Sequence, residues 1–317
     1  MFPFDRPIAP PVGRLVECVP NFSAGRDRRA VAAITQAIRS VEGVRLLHVD
    51  MGEGANRTVV TFVGEPTAVV EAAYRGVRTA AEAIDMRTHH GAHPRIGATD
   101  VLPLVPLRGI TLAECARLAD ELARRIGKEL SIPVFLYEAA SPTGSRLEQC
   151  RRGEYEALPE RVSDADYGPR AWSEHVARTG ATVVGARPFL LAVNFTLNTR
   201  SVDVAKDIAR RLRTSGYRGV PGQLPAVKAL GWYIEEYRRA QVSMNLCDLS
   251  RTSLRTAYEA TCAAARERGV AVSGTEIIGL VPQSQLDGVD DPVTYYHLDE
   301  LRPFNPRDKV IELVAGL

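Results

Sequence analysis

Apolar positions along the chain recur at two spacings, and the alternation between them predicts a series of strands and helices. Residues 15–19 read as a strand, and the loop PNFSAGRD leads into a helix whose inner face is Val31, Ile34 and Ile38. Residues 44–50 and 58–63, rich in Val, Leu and Thr, predict two strands separated by MGEGANR. Val70, Ala73, Val77, Ala80 and Ile84 then fall on one stripe of a long amphipathic helix. The polar stretch DMRTHHGAHPRIGATD, broken by glycine and proline, precedes the strand-like VLPLVPL. Leu112, Cys115, Leu118, Leu122 and Ile126 predict another helix and residues 133–137 another strand, so the first half reads βαββαβαβ.

From Cys150 to about Gly185 the pattern turns polar and aperiodic, which marks a boundary region or a segment that covers a ligand. Beyond it the elements are a strand at 189–195, a helix at 204–212, strands at 230–234 and 241–246, a helix at 254–268, a strand at 270–273 and a helical tail after Pro282. That βαββαβ order is the split, ferredoxin-like one. The expected fold class is therefore α/β: two ferredoxin-like sandwich subdomains, at 15–186 and 187–317, behind an extended arm at 1–14. Two such units side by side make a cleft, where small-molecule sites preferentially form.

Composition narrows the function. The length of 317 residues suits two modest domains. With 40 basic and 38 acidic residues the net charge is +2, too balanced to grip a polyphosphate backbone, so nucleic acid is not the expected partner. No apolar run approaches the roughly 20 residues of a membrane span, and MFPFDRPIAPPVG lacks the basic and apolar regions of a signal peptide. Five scattered cysteines without a CxxC pair indicate neither a disulfide framework nor a thiolate zinc site, and a cytoplasmic location follows.

Half of the six histidines lie in HHGAHPR at 89–95. One of them could shuttle a proton at near-neutral pH while Arg95 anchors an anion. Alternatively His89 and His93, with Asp85 or Asp100, could hold a metal; Gly91 and Pro94 oppose the helix that such spacing needs. A surface turn is the plainest reading. Asp50 ends a strand, with His48 on the same side, and could orient an imidazole or merely open the turn before Gly52. GEGANR joins two strands and leads into no helix, so it is not a phosphate loop. Asn21 and Arg57 stand at strand ends and could face the cleft. Trp172 could stack on a flat ligand or pin its own loop.

On these residues the chain resembles the glutamate formimidoyltransferase (formiminotransferase) family. The resemblance rests on VECVPNFS at 16–23, NRTVVTFVG at 56–64, IDM at 84–86 leading to HPRIGATDV at 93–101, GEYEALP at 153–159, GAR at 185–187, GWY at 231–233, AQVSMNL at 240–246 and GLVP at 279–282. It covers nearly everything from Leu15 onward. It implies two α/β subdomains with sheets facing across a folate cleft, a homodimer, and transfer of the formimino group from N-formimino-L-glutamate to tetrahydrofolate, with no metal. The family's catalytic histidine falls on His93 and a conspicuous aspartate on Asp50. Anionic groups of the ligands are assigned to Arg95, Arg57 and Arg187, with Asn21 on the pterin or the substrate amide. The folate-associated stretch falls on 168–180, from Gly168 through Trp172 to Gly180, where the match is poor. Ala92 stands where many members carry glutamate, which motivates a folate carrier without turnover as one alternative; formyl transfer between 5-formyltetrahydrofolate and glutamate is another. Relatives in vertebrates continue into a cyclodeaminase domain, so this chain is expected to act as a stand-alone transferase.

Overall fold

The computed structural model describes residues 13–91 and 93–316, so most of the expected arm at 1–14 and the departure at Ala92 lie outside the described residues. The chain divides between Arg187 and Pro188 into two units.

In the first unit β1 (Leu15–Cys18) and β2 (Asn21–Phe22) are one strand interrupted at Pro20, which has no N–H to donate to a ladder. There follow α1 (Arg28–Arg39), β3 (Val44–Gly52), β4 (Arg57–Gly64), α2 (Pro66–Ala83), β5 (Thr99–Arg108), α3 (Leu112–Glu129) and β6 (Val134–Glu138). Three short helices, α4 (Leu147–Cys150), α5 (Leu158–Arg161) and α6 (Glu174–Thr179), lead to β7 (Thr182–Ala186). Capping fixes several helix starts: the Asp27 carboxylate accepts from the N–H of Arg29 and Ala30, and Thr111 and Glu114 form a reciprocal capping box.

The sheet runs β3, β4, β1 with β2, β5, β7, β6. Its first four positions are antiparallel and carry the split order, and β7 enters parallel between β5 and β6. One face packs on α1, α2 and α3 through Val16, Phe22, Phe62, Leu104, Val134 and Val184. On the second face, Val101, Phe135, Tyr137 and Val183 are covered by Cys150, Leu158 and Ala165. The stretch expected as a boundary is thus a cover for half of this face, and it supplies an interior strand. Five residues buried on both faces carry no alternation to read.

On the other half of the second face, towards β3, the inward positions turn polar: Glu17 and Asn21 alternate with core residues of β1 and β2. Burial pushes the Glu17 carboxyl up from 4.5 to about 7, with Arg187 pulling it back. The folded chain therefore keeps this proton where the unfolded chain releases it, and the stability it supports is complete below about pH 4.5 and lost as pH rises through about 7. Glu17→Gln is expected to remove that loss, so that the variant gains about 3 kcal/mol on the parent between about pH 4.5 and pH 8 in urea titrations. A flat difference across the range would remove Glu17 from the acid–base balance of folding.

The second unit is β8 (Leu191–Leu197), α7 (Val202–Leu212), β9 (Val227–Ile234), β10 (Arg239–Leu246), α8 (Leu254–Arg266) and β11 (Val272–Ile278), in the antiparallel order β11, β8, β10, β9. This is the expected ferredoxin-like order. Val193, Phe195, Ile208, Val242 and Met244 share its core. Among the described residues no helix is long and apolar enough to cross a membrane.

Candidate active site

Three loops meet at the polar end of the first sheet, and Asn56 joins them. It ends the β3–β4 turn in the left-handed region, with φ of 49°, a conformation that asparagine tolerates better than most side chains. Its Oδ1 accepts from the Gly25 N–H at 3.0 Å and its Nδ2 donates to the His90 carbonyl at 2.9 Å. The Asn56 carbonyl in turn accepts from Nε2 of His89 at 2.9 Å. The histidine loop is therefore docked on the hairpin, with His89 buried and His90 exposed. Burial lowers the pKa of His89, and its Nδ1 has no partner among the described residues.

That docking brings His93 onto Arg57, the first residue of β4. The guanidinium Nη1–H faces Nε2 of His93, and Nη2–H donates to Oδ1 of Asn21. Asn21 is held by its own Nδ2, which donates to the Val19 carbonyl at 2.9 Å, so its oxygen is the atom left for Arg57. Nδ1 of His93 lies 2.8 Å from the Pro94 carbonyl. Since a carbonyl and a guanidinium dictate opposite roles, the proton is on Nδ1 and the Nε2 lone pair accepts from Arg57. Burial, and after it the Arg57 charge, pushes the imidazole down to about 3, so His93 is neutral at physiological pH.

Arg57 is a half-buried cation whose two Nη contacts are to neutral groups, and its buried Nε is unpartnered among the described residues. Burial, and after it the repulsion of Arg151, brings it down to about 9, with Asp100 and Asp50 opposing. Asp100 is set there by a β-bulge: Asn21 pairs with Val101 and Phe22 with Thr99, leaving Asp100 as the extra residue. Its carboxylate accepts from the Ile96 N–H at 3.1 Å and from Arg151, whose Nε lies at 3.2 Å and whose Nη2 is closer still. The pair is buried, with 1% of the Asp100 side chain exposed.

His93, Arg57 and Asn21 are thus brought together as one group. Asp50 is not the partner of His93, as expected from the strand end, because both ring nitrogens are already engaged; its charge is felt at Arg57 instead. Arg95 is already engaged within the chain. Its Nη1 and Nη2 bind Glu154 and Glu156 at 2.7 to 3.1 Å, and Nη2 also donates to the His89 carbonyl, so it braces the loop from below. Arg187 lies at the end of β7, where its charge acts on Glu17 and Tyr137.

The stretch from Gly168 to Gly180 has structural reasons of its own. A Cβ on Gly168 would stand 2.3 Å from the Ile132 carbonyl oxygen, and one on Gly180 would stand 2.3 Å from that of Ile96, both at positive φ. Trp172 packs its ring on Tyr155 at 6.0 Å. Asp85, one of the two acids considered for a metal, is bound to Arg87 and the other, Asp100, to Arg151. Among the described residues no cluster of three His, Cys, Asp or Glu is placed to hold a metal. Nothing in the local pattern separates Arg151 from other loop residues, and for Asn56 the signal available is its place at the head of NRTVVTFVG.

Residues 15–187 match the family profile described as the formiminotransferase domain, N-terminal subdomain, and residues 192–296 match that of the formiminotransferase domain. The chain is 44% identical to the formimidoyltransferase-cyclodeaminase of Sus scrofa, over 96% of its own length and 60% of that protein's. It is 40% identical to the glutamate formimidoyltransferase of Thermoplasma acidophilum, covering 96% of this chain and 99% of that one. The glutamate formimidoyltransferase of Streptococcus pyogenes serotype M1 is 38% identical, with 95% and 98% covered. The chain therefore spans about three fifths of the first of these relatives and nearly all of the other two.

Proposed function

The chain belongs to the formiminotransferase family, and from that premise we propose that it transfers the formimino group of N-formimino-L-glutamate to N5 of tetrahydrofolate, giving 5-formiminotetrahydrofolate and L-glutamate. The observation that carries this reading is the pairing of a neutral imidazole with a half-buried guanidinium that lacks a carboxylate in direct contact. The reaction needs a proton acceptor beside an anion site, and both substrates bring carboxylates.

Attack of N5 on the formimino carbon forms the N5–C bond and sends the N5 proton to Nε2 of His93. Collapse of the tetrahedral intermediate breaks the bond between that carbon and the glutamate nitrogen, and His93 returns the proton to the departing amine. One imidazole thus begins and ends neutral. Its Nδ1–H bond to the Pro94 carbonyl holds the ring through both steps and stabilises the cation between them. Tetrahydrofolate is a co-substrate here and the chemistry uses no step through a metal.

The same reading places the enzyme in the cytoplasm as a homodimer. Five free cysteines suit a reducing compartment, and light scattering reads the mass directly. The deciding assay supplies purified protein with tetrahydrofolate and N-formimino-L-glutamate and couples the product to a separate cyclodeaminase. Turnover is expected. Release of formyl groups from 5-formyltetrahydrofolate onto glutamate, with no formimino turnover, would move the activity to formyl transfer; folate binding without either would leave a carrier.

A further inference from the structure

The arrangement around His93 poses a problem for the reaction just described. A base must offer a free lone pair, yet Nδ1 carries the proton given to Pro94 and Nε2 is taken by Arg57. Resting on the transferase reading, we propose that Arg57 is a positioning residue that latches the Nε2 lone pair of His93 until the α-carboxylate of the formimino donor draws the guanidinium away, so that the base is released only when that donor is bound.

Three features carry this. First, Arg57 is the guanidinium of the site with something to gain. Arg151 and Arg95 already hold carboxylates, whereas the Nη groups of Arg57 meet an imidazole and an amide, and its buried Nε has no partner among the described residues. A charge-assisted, two-pronged bond to a carboxylate is roughly twice as strong as bonds to neutral acceptors. Second, the donor brings that carboxylate to the right place. In N-formimino-L-glutamate the α-carboxylate is attached to the carbon bearing the nitrogen that His93 must protonate, while the glutamate of folate lies beyond the aminobenzoyl group, far from N5. Third, the charged groups around the ring respond in one direction. His93 faces Arg57 on β4, Arg151 beyond α4 and Asp100 on β5, and Arg57 faces Asp50 on β3. With Arg151 and Asp100 already paired, neutralising Arg57 is the change that makes the imidazole more basic.

The consequence is order. Folate alone meets a base whose lone pair is occupied, and deprotonation at N5 waits for the acceptor carbon to be in place.

Nuclear magnetic resonance of the full chain with ring-labelled histidine tests this, with the His93 signal assigned by its loss in His93→Gln. In the free protein His93 is expected to stay neutral and Nδ1-protonated down to about pH 3. Saturating L-glutamate is expected to move its midpoint up, towards the ~6.5 of an ordinary imidazole. γ-Aminobutyrate, which keeps the side-chain carboxylate and lacks the α one, is expected to leave it in place. Arg57→Gln raises the midpoint in the free protein and abolishes the response to glutamate; Arg57→Lys keeps part of it. If Arg57→Gln does not fold, the two ligand titrations on the parent still decide. A His93 midpoint that ignores L-glutamate while formimino transfer proceeds overturns the latch and leaves the transferase intact. An equal response to γ-aminobutyrate overturns the α-carboxylate assignment. A midpoint that responds in a protein without turnover keeps the latch and overturns the transferase reading.

Discussion

His93→Ala is expected to lower kcat for formimino transfer by about 10²- to 10⁴-fold, the usual worth of a positioned general acid and base. The loss falls on kcat because the ring serves two proton transfers in one turnover, removal from N5 and return to glutamate, and alanine can do neither. Substrate anchoring survives, since Arg57 keeps its bond to Asn21. The variant also frees Nη1 of Arg57 from the imidazole, so L-glutamate is expected to bind at least as tightly as to the parent. Steady-state kinetics with both substrates varied, together with a binding titration of L-glutamate, checks both halves. A variant that keeps more than about a tenth of the parent kcat takes His93 out of the proton path.

The second large effect is on stability. Asp100→Ala removes the carboxylate that accepts from Ile96 and balances Arg151 in a buried place. Breaking a buried ion pair from one side costs about 3–5 kcal/mol, most of it from the charge left behind. Here the orphaned Arg151 also stands near Arg57, where repulsion between the two guanidinium groups is already felt. Asp100→Asn keeps an oxygen for the Ile96 N–H and loses the charge, so it separates the hydrogen bond from the ion pair. Denaturant unfolding is expected to rank parent, Asn, then Ala. An alanine variant within about 1 kcal/mol of the parent would show that Arg151 finds water or another acid instead.

The amphipathic stripes of α1, α2 and α3 and the split order of the second unit were legible because period and length specify a buried face almost independently of context. β7 was not, because a short strand covered on both faces has no alternation. The site divided along similar lines. His93, Arg57 and Asn21 stood out by residue type at strand ends and a Gly/Pro loop, and the fold does bring them together. The partners of Arg95 were not legible because a loop arginine looks free until its carboxylates are found, and those lie 59 and 61 residues further on. The partner of Asp50 was hidden for a different reason: strand periodicity gives the side of a sheet and says nothing of which neighbour claims a ring nitrogen first. The role of Asp100 depends on a bulge, a one-residue slip in pairing that no local pattern announces.

The segment between β6 and β7 has both ends sewn into neighbouring parallel strands, the edge strand β6 and the interior strand β7. A flap hinges on two adjacent surface points; this segment would have to unzip the β5–β7–β6 ladder to lift. It is therefore a fixed wall of the site. The histidine loop stands on the same footing, because Arg95 ties it to Glu154 and Glu156 of that segment while Asn56 ties it to the β3–β4 turn, so the base rests on a frame braced from two sides.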